Sequence, residues 1–402
     1  MLSISKNGRY LLKDGKFYPY IADTAWTLLQ RLTRDEIIYY LDKRVSQGFD
    51  AVQVSAISEL DGIRTPNREG NLPFDNENVF TPNSDYFELL LFLAEECEKR
   101  GTVLTLLPTW GDKFNKKWGI GPEIFTPDNA FEYGRFLANK LIDFENIIWM
   151  LGGDRPIETD YHRAVIDKMA AGLKAGEGTR HLITYHPPGE KSSYDYLPDA
   201  DYIDFHCIQS SHAFKGFESE KMILKTLRAD KKPCIDAECA YEDIPLELNP
   251  EWDYRFCAYD IRRRIYKNLL VGAAGAVYGH ASVWCFKDKP DSEYIYAWRD
   301  ALDRPMAKGI KYVKTFLSLF DIEKSKPDRR FKSAVAATSG KSTAAYIENG
   351  EPVFLSIKKD IKSAELIWFN PANGEIIKEQ KDIRRKTVFL NPFEEDALLI
   401  IN

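Results

Sequence analysis

The 402-residue sequence lacks any apolar run near the roughly 18 residues that a membrane-spanning helix needs. It also lacks a basic stripe, and its net charge of −6 and pI of about 5.7 argue against a nucleic-acid partner. Residues 1–8 contain no apolar segment of the kind found in a signal peptide. We therefore expect a cytoplasmic protein without membrane or nucleic-acid partners, or a secreted or periplasmic one if a leader precedes this sequence.

Cysteine pairing and metal-binding motifs are also missing from the sequence. None of the six cysteines forms a Cys-x-x-Cys pair, and the chain has no Asn-x-Ser/Thr sequon. Cysteines scattered over a large chain are typical of free, mostly buried thiols and favour a reducing compartment. No His-Glu-x-x-His motif and no Cys/His quartet is present. We therefore expect neither a metal ion nor a cofactor.

Short apolar segments alternate with helical stretches over the first three-quarters of the chain, which is the pattern of repeated βα units. Thr33, with Glu36 three residues later, predicts a capped helix start after the first strand. The eight predicted strands cover residues 18–22, 51–56, 103–107, 146–151, 182–185, 202–207, 233–237 and 275–278. The sequence therefore predicts an α/β fold, a (β/α)8 TIM barrel over residues 1–322.

After residue 322 the pattern changes to short β segments without helices. The predicted strands there cover residues 334–337, 343–347, 353–357, 364–369, 386–390 and 397–401. Turn pairs such as Asn373-Gly374 separate some of them. This pattern predicts a small C-terminal β-sandwich over residues 323–402, and we expect that it docks against the barrel.

Two carboxylates occupy the places where barrel enzymes carry their reactive groups, at the ends of strands. Asp154 follows the fourth predicted strand, and Glu238 follows the seventh. Hydrolysis of a glycosidic bond needs a protonated carboxylic acid at the leaving oxygen and an ionised carboxylate at the anomeric carbon. The sequence therefore predicts Asp154 and Glu238 as the catalytic pair. Asp236 is the alternative nucleophile, because residues two apart share a strand face, but it would lie one layer deeper.

Aromatic and polar side chains cluster at the same predicted strand ends. Aromatic faces pack on sugar rings, and a histidine can bind a sugar hydroxyl or tune a neighbouring carboxylate. The predicted substrate-binding residues are Asp23, Trp26, Trp110, His186, His206, Tyr278 and Trp284. Each has a structural alternative, as a packed core side chain or, for Asp23, as a residue that orders the first loop. His212 and His280 are weaker candidates for the same role.

Motifs spaced along nearly the whole chain carry a family resemblance. They are residues 22–26 (ADTAW), 148–154 (IWMLGGD), 272–280 (GAAGAVYGH), 298–302 (WRDAL) and 368–374 (WFNPANG). The first four resemble segments of the apiosidase-like glycoside hydrolases. The last is similar to the WYDPRTG segment of a C-terminal domain labelled collagen-binding, from which it departs at residues 369–372.

The resemblance implies a retaining glycosidase with Asp154 as acid/base and Glu238 as nucleophile. It also implies an oligosaccharide or glycoside substrate with a terminal sugar, for which apiose on a branched pectin is the candidate. Two other classes of function stay open, since a barrel hosts many activities. One is a non-catalytic carbohydrate- or collagen-binding protein, and the other is a metal-dependent hydrolase or isomerase. The oligomeric state is not fixed by the sequence.

Overall fold

The structure, a computed structural model, describes residues 1–340, 342–348 and 352–402. An antiparallel meander of β1 (Leu2–Ile4), β2 (Leu11–Lys13) and β3 (Lys16–Tyr18) begins the chain. Its two turns contain glycines at positive φ, as the Asn-Gly and Asp-Gly pairs of the sequence indicate. Its buried side chains, including Leu2 and Leu11, pack against the interior of the barrel that follows.

Parallel strands with intervening helices form the main body of the described chain. These strands are β4 (Tyr20–Thr24), β5 (Ala51–Ser55), β6 (Val103–Leu107), β7 (Ile147–Gly152), β8 (Leu182–His186), β10 (His206–Gln209), β11 (Cys234–Glu238) and β12 (Gly275–Tyr278), while β9 (Lys191–Ser192) adds antiparallel to β10. The amide of Asp204 donates to Ile183 O at 2.8 Å and the amide of Ala274 to Cys234 O at 2.9 Å. These two bonds connect β10–β11 to both ends of the six-stranded sheet, so the predicted (β/α)8 barrel is confirmed.

Helices follow most of the barrel strands along the chain. They are α1 (Leu28–Arg31), α2 (Arg34–Gln47), α3 (Ser84–Lys99), α4 (Pro127–Leu141), α5 (Asp160–Glu177), α6 (Ser193–Tyr196), α7 (Ser219–Ala229), α8 (Ala258–Val271), α9 (Trp298–Ala301) and α10 (Pro305–Leu319). The predicted capping box of α2 is confirmed: the Glu36 amide donates to Thr33 Oγ1 at 3.3 Å, and the Thr33 amide donates to Glu36 Oε2 at 2.9 Å. Between β8 and β10 the helical part of the chain is the single turn α6.

Alternation along the strands decides which side chains face the barrel interior. The interior cluster includes Tyr20, Ala22, Ile148, Met150, Ile235, Ala237 and Val277. Asp23, Asp236 and Tyr278 fall between these positions, so they face outward toward the surrounding helices. This assignment has consequences for the predicted site residues below.

The C-terminal part of the chain is a β-sandwich. Its strands are β13 (Lys326–Pro327), β14 (Phe331–Lys332), β15 (Val335–Thr338), β16 (Thr343–Ile347), β17 (Val353–Ser356), β18 (Ile361–Phe369), β19 (Ile376–Ile383), β20 (Lys386–Phe389) and β21 (Ala397–Ile401). They form one antiparallel sheet in the order β13-β15-β16-β21-β18-β19 and a second in the order β14-β17-β20. The predicted division at residues 322/323 stays a prediction, and it falls in the connection between α10 and β13.

Barrel and sandwich share an apolar interface, which we call the shared core. One buried cluster contains Ile265 and Tyr266 of α8 together with Tyr346 and Ile400 of the sandwich, and the two tyrosine rings stack 6.2 Å apart. Beside it, the buried guanidinium of Arg262 on α8 donates from Nε to both oxygens of the buried Asp396, at 3.0 and 2.9 Å. The sandwich is therefore docked on the barrel by apolar packing and a buried ion pair.

All six cysteines are free, and five of them are buried. Within residues 1–340, 342–348 and 352–402, none of the helices has the length and apolar character needed to cross a membrane.

Candidate active site

A cavity of about 550 Å³ opens beyond the carboxyl ends of the barrel strands. Both predicted catalytic residues, Asp154 and Glu238, line it. The other lining residues are Trp26, Glu59, Trp110, Trp118, Pro188, Gly189, Gln209, Ser211, His212, Tyr241, Ile244, Leu248, Trp284, Glu293 and Tyr294. Barrel enzymes carry their active sites at this end, so the cavity is the candidate active site.

A double-glycine turn at the end of β7 places Asp154 in the cavity. Gly152 and Gly153 have φ values of +89° and +111°, and a Cβ atom on Gly153 would lie 2.7 Å from the backbone nitrogen of Gly111. Asp154 itself has a φ of +54°. The turn therefore needs both glycines, and it lifts the Asp154 carboxyl away from the strand toward the barrel mouth.

The Asp154 carboxyl is held by one indole and one guanidinium. Trp118 Nε1 donates to Asp154 Oδ2 at 3.0 Å, and Arg155 Nη1 donates to the same oxygen at 2.9 Å. Burial and the negative charge of Glu238 raise the pKa of Asp154 to about 7, against the opposing effect of Arg155. A carboxyl with this pKa still carries a proton near neutral pH, as a general acid requires.

Glu238 reaches the cavity because the pairing of β10 with β11 shifts by one residue. Ile208 is opposite Asp236, whereas the next residue, Gln209, is opposite Glu238. Asp236 stays on the outer face, where it accepts hydrogen bonds from the Ser210 amide at 3.1 Å and from Asn268 of α8 at 3.3 Å. The two acids therefore do not share a face, and Asp236 lies outside the cavity lining.

Two histidines face the two oxygens of Glu238. The backbone amide of Asp154 donates to His186 Nδ1 at 3.2 Å, and that of Tyr241 donates to His212 Nδ1 at 3.3 Å. These bonds assign the tautomer of each neutral ring, with the proton on Nε2. His212 Nε2 lies 3.3 Å from Glu238 Oε1, and His186 Nε2 lies 3.1 Å from Oε2, off the direction of a hydrogen bond.

These neighbours hold Glu238 in its ionised form. Burial alone would raise the pKa of Glu238, but His186 and His212 more than offset it and lower the pKa to about 2. The environment thus pushes the pKa values of Asp154 and Glu238 in opposite directions. Such a separation leaves one carboxyl protonated and the other ionised within a single pair.

Aromatic side chains line the cavity around Glu238. Trp26 Nε1 donates to the Tyr241 hydroxyl at 2.7 Å, and the rings of Trp26 and Trp110 lie 5.1 Å apart. Trp284 lines the same cavity. Among the described residues, Trp110 Nε1 and Gln209 Oε1 are buried without a hydrogen-bond partner. Both residues line the cavity, so these unpartnered atoms are candidates for hydrogen bonds to sugar hydroxyls.

Of the seven predicted substrate-binding residues, the structure brings Trp26, Trp110 and Trp284 into the cavity lining and places His186 beside Glu238. The structure leaves Asp23, Tyr278 and His206 outside the cavity lining. The prediction that these three residues contact the substrate is therefore wrong.

Asp23 and Tyr278 lie on the outer face of the barrel. Asp23 Oδ2 accepts from Arg44 Nε at 2.6 Å and from the Tyr40 hydroxyl at 2.5 Å, and both groups belong to α2. The Tyr278 hydroxyl donates to Glu242 Oε2 at 2.7 Å. Both residues alternate with interior positions along their strands, and this alternation is the physical reason for the correction.

His206 is at the wrong end of its strand to contact a substrate. The predicted strand covers residues 202–207, but β10 begins at His206, so this residue starts the strand. Its ring nitrogens lie 2.8 Å from Ser193 Oγ and 3.1 Å from Asp230 Oδ2. The imidazole is therefore a satisfied structural group, away from the carboxyl ends of the strands.

Sequence reasoning missed several cavity residues that lie in loops. Glu59 Oε1 accepts from Arg155 Nη2 at 2.7 Å, which connects the long loop after β5 to the residue beside Asp154. Trp118 and Tyr241 come from the loops after β6 and β11. The only available signal was their position after barrel strands.

Among the described residues, no three or more His, Cys, Asp or Glu side chains are grouped to hold a metal ion.

Comparison with known proteins gives the family. Residues 5–324 match the family described as apiosidase-like, catalytic domain. The chain belongs to this family. A glycoside hydrolase family 5 structure from Bacteroides vulgatus is similar to this apiosidase-like protein over 100% of this chain and 93% of its own, at 26% identity and a TM-score of 0.88. A second structure, a glycoside hydrolase, is similar over 100% and 96%, at 26% identity and a TM-score of 0.87.

A more distant structure shares only the fold with this apiosidase-like protein. It is an endo-beta-1,4-mannanase from Thermotoga petrophila, with 13% identity and a TM-score of 0.52 over 96% of this chain and 98% of its own. The curated proteins contain no match to the sequence. The family and the two 26% identical structures establish the protein as a glycoside hydrolase.

Proposed function

We propose that this apiosidase-like protein cleaves a terminal sugar from a complex glycan with retention of configuration. The observation that carries the proposal is the opposite tuning of two carboxyls in one cavity. Glu238 faces two imidazoles fixed by backbone amides, while Asp154 has a pKa of about 7. Glycoside hydrolysis needs an ionised carboxyl and a protonated one, and the family resemblance implies the double displacement that retains configuration.

In the first step, Glu238 attacks the anomeric carbon while the bond to the leaving oxygen breaks. Asp154 gives its proton to that oxygen, which leaves a covalent glycosyl ester on Glu238 and an ionised Asp154. The negative charge of Glu238 is a main cause of the raised Asp154 pKa, so forming a neutral ester removes that cause. The pKa of Asp154 then falls, which suits its second task as a base.

In the second step, Asp154 takes a proton from water while the water oxygen attacks the anomeric carbon. The ester bond breaks, Glu238 leaves as a carboxylate, and Asp154 is protonated again. The free Trp110 Nε1 and Gln209 Oε1 atoms would bind hydroxyls of the sugar attached to Glu238. Apiose, for which the family is named, is the candidate sugar.

The test is a screen of plant cell-wall oligosaccharides for released monosaccharide by anion-exchange chromatography. Wild-type protein should release one sugar, whose first-formed anomer, read by proton NMR, matches the substrate. Glu238→Gln should lower the rate by at least about a thousandfold, since the nucleophile is lost. Asp236→Asn, a nearby acid outside the cavity, is the control and should stay within about tenfold of wild type. Full activity of Glu238→Gln, or an inverted product, would contradict the proposal.

A further inference from the structure

The guanidinium of Arg155 joins two carboxylates that line the cavity. Arg155 Nη1 donates to Asp154 Oδ2 at 2.9 Å, and Nη2 donates to Glu59 Oε1 at 2.7 Å. Arg155 Nη1 also donates to the backbone oxygen of Asp154 at 2.8 Å. The Arg155 side chain is fully buried, whereas the side chains of the two acids are each 20% exposed. One buried cation is therefore shared between Asp154 and Glu59.

Close packing of the surrounding backbone keeps Arg155 in this position. A Cβ atom on Gly111 would lie 2.7 Å from Arg155 Cγ, and one on Gly119 would lie 2.6 Å from Arg155 Nη2. The Tyr185 hydroxyl donates to the backbone oxygen of Arg155 at 2.7 Å. The centroid of the Trp118 ring lies 4.5 Å from the guanidinium carbon. The guanidinium therefore has little room to move toward either carboxylate.

Glu59 is in turn fixed by a second buried ion pair. Lys113 Nζ donates to Asp112 Oδ2 at 2.8 Å and to the backbone oxygen of Gly121 at 2.9 Å. The same ammonium group donates to the backbone oxygen of Glu59 at 3.4 Å. The side chains of Lys113 and Asp112 are both fully buried. The long loop after β5 is thereby attached to the loop after β6, and this attachment holds the Glu59 carboxylate at Arg155.

The charges around Asp154 explain why Glu59 matters to it. Burial and then Glu238 raise the pKa of Asp154, and Arg155 opposes them. Glu59 also raises this pKa, because it adds a negative charge and offsets the positive charge of Arg155. The charged and titratable groups around Asp154 and its partners are Arg155 after β7, Tyr185 and His186 of β8, Glu238 of β11, Glu59 after β5, and Asp112 and Lys113 after β6.

We propose, on the basis of the proposed function, that Glu59 is a positioning residue that acts on the general acid through Arg155. By neutralising the guanidinium, Glu59 prevents Arg155 from promoting loss of the Asp154 proton before the glycan binds. The same contact keeps the guanidinium in place, so Arg155 orients Asp154 through its backbone and side-chain oxygens. Loss of the Glu59 charge should leave Asp154 bound to Arg155 but ionised at a lower pH.

The indole of Trp118 gives a readout that needs no substrate. Its Nε1–H donates to Asp154 Oδ2 at 3.0 Å, so its chemical shift should follow the ionisation of that carboxyl. Protein with isotope-labelled tryptophan is titrated by NMR, and the signal is assigned by its absence from Trp118→Phe. Asp154→Asn should abolish the pH dependence of this signal. Wild-type protein should show an inflection near pH 7.

Two substitutions should move this inflection in opposite directions. Glu59→Gln keeps the size of the side chain and an oxygen for Arg155, and it should move the inflection about one pH unit lower, since an unbalanced cation favours the ionised carboxyl. Arg155→Met removes the cation and should move the inflection about one pH unit higher. In the Arg155→Met background, the Glu59→Gln shift should fall to about half or less, because Glu59 has lost the group through which it acts.

Glu77→Gln is the matched control, because Glu77 forms an exposed pair with Arg64 on the same long loop. It should leave the inflection within about 0.2 pH units, as expected for a screened surface pair. A thermal midpoint shows which variants are folded, and the Glu59→Gln shift alone decides the outcome if Arg155→Met does not fold. An inflection that stays in place or rises in Glu59→Gln, or an equal shift with and without Arg155, would overturn the positioning role.

Hydrolysis by wild-type protein keeps the two proposals apart. If the indole titration moves as expected but the wild type cleaves none of the glycans screened, the proposed function fails, while the effect of Glu59 on Asp154 stands. If the wild type cleaves a glycan with retention, and Glu59→Gln raises KM without moving the titration or the alkaline fall of kcat/KM, Glu59 is a substrate contact. The proposed function then stands and the positioning role fails.

Discussion

Glu238 is kept ionised by two imidazoles rather than by a lysine or an arginine. The Nδ1 atom of each imidazole accepts a hydrogen bond from a backbone amide, and the Nε2 atom of each ring faces Glu238. These backbone bonds fix the orientation of both rings at the cavity wall.

The activity should have a plateau at acid pH and fall above neutrality. Asp154 must be protonated to act as an acid, and its pKa is about 7. Above that pH the protonated fraction drops tenfold per pH unit, so log kcat/KM should fall with a slope of −1. Glu238, with a pKa of about 2, stays ionised down to strongly acid pH. Initial rates from pH 4 to 9 on a cleaved glycan measure this, and a plateau extending above pH 9 would contradict the assignment.

We expect Asp23 to stabilise the folded barrel rather than to bind substrate. Asp23→Asn removes the partner of the buried Arg44, and breaking a buried pair in this way costs about 3–5 kcal/mol in the free energy of unfolding. Chemical denaturation measures the loss, with Asp35→Asn on the exposed start of α2 as the control. KM should not change at a temperature where the variant is folded. A raised KM with unchanged stability would restore the substrate-binding role.

At the scale of elements, the sequence predicts strands best where burial is complete. β16 and β21 coincide with their predicted ranges, and every residue in them is buried. β19 was missed because seven of its eight residues are exposed and its charged residues hide any apolar alternation. β10 was displaced because Tyr202, Ile203 and Phe205 are buried in the turn that precedes it. Apolar character alone does not separate a buried turn from a strand.

The same limits apply to the candidate site. Asp154 and Glu238 could be predicted because the barrel fixes where its strands end. Glu59, Trp118 and Tyr241 could not, since the path of a loop over the barrel mouth depends on contacts distant in the sequence. The pairing of Glu238 with Gln209 also depends on a local shift of strand register. No periodicity in the sequence indicates that shift.

The turn after β7 should be intolerant of a side chain at Gly153. Gly153→Ala puts a Cβ atom 2.7 Å from Gly111 N at a φ of +111°, so the turn must shift and carry Asp154 with it. We expect kcat/KM to fall about a hundredfold, as for a misplaced catalytic group. Gly70→Ala, also at positive φ but with open space around its Cβ position, controls for backbone strain alone and should retain activity. Equal activity of the two variants would contradict the role of the turn.

At the scale of the whole molecule, the barrel and sandwich should unfold together. Calorimetry of the wild type should show one transition, because the shared core contains side chains of both. Arg262→Ala leaves Asp396 buried without its cation and should lower the free energy of unfolding by about 3–5 kcal/mol. Arg299→Ala breaks an exposed pair with Glu36 and should cost about 1 kcal/mol or less. A sandwich that melts separately, at a barrel midpoint unchanged by Arg262→Ala, would contradict this.

The shared core also bears on how such a protein can evolve. Carbohydrate-binding modules joined by flexible linkers can be exchanged between enzymes, because each module is complete without its neighbour. Here the apolar sides of α8 and α10 are completed by residues of the sandwich, including Tyr346 and Phe369. Replacing the sandwich by an unrelated module would leave those helix faces unmatched. We therefore expect the two parts to be inherited as a single unit, with substitutions at the interface of one part compensated in the other.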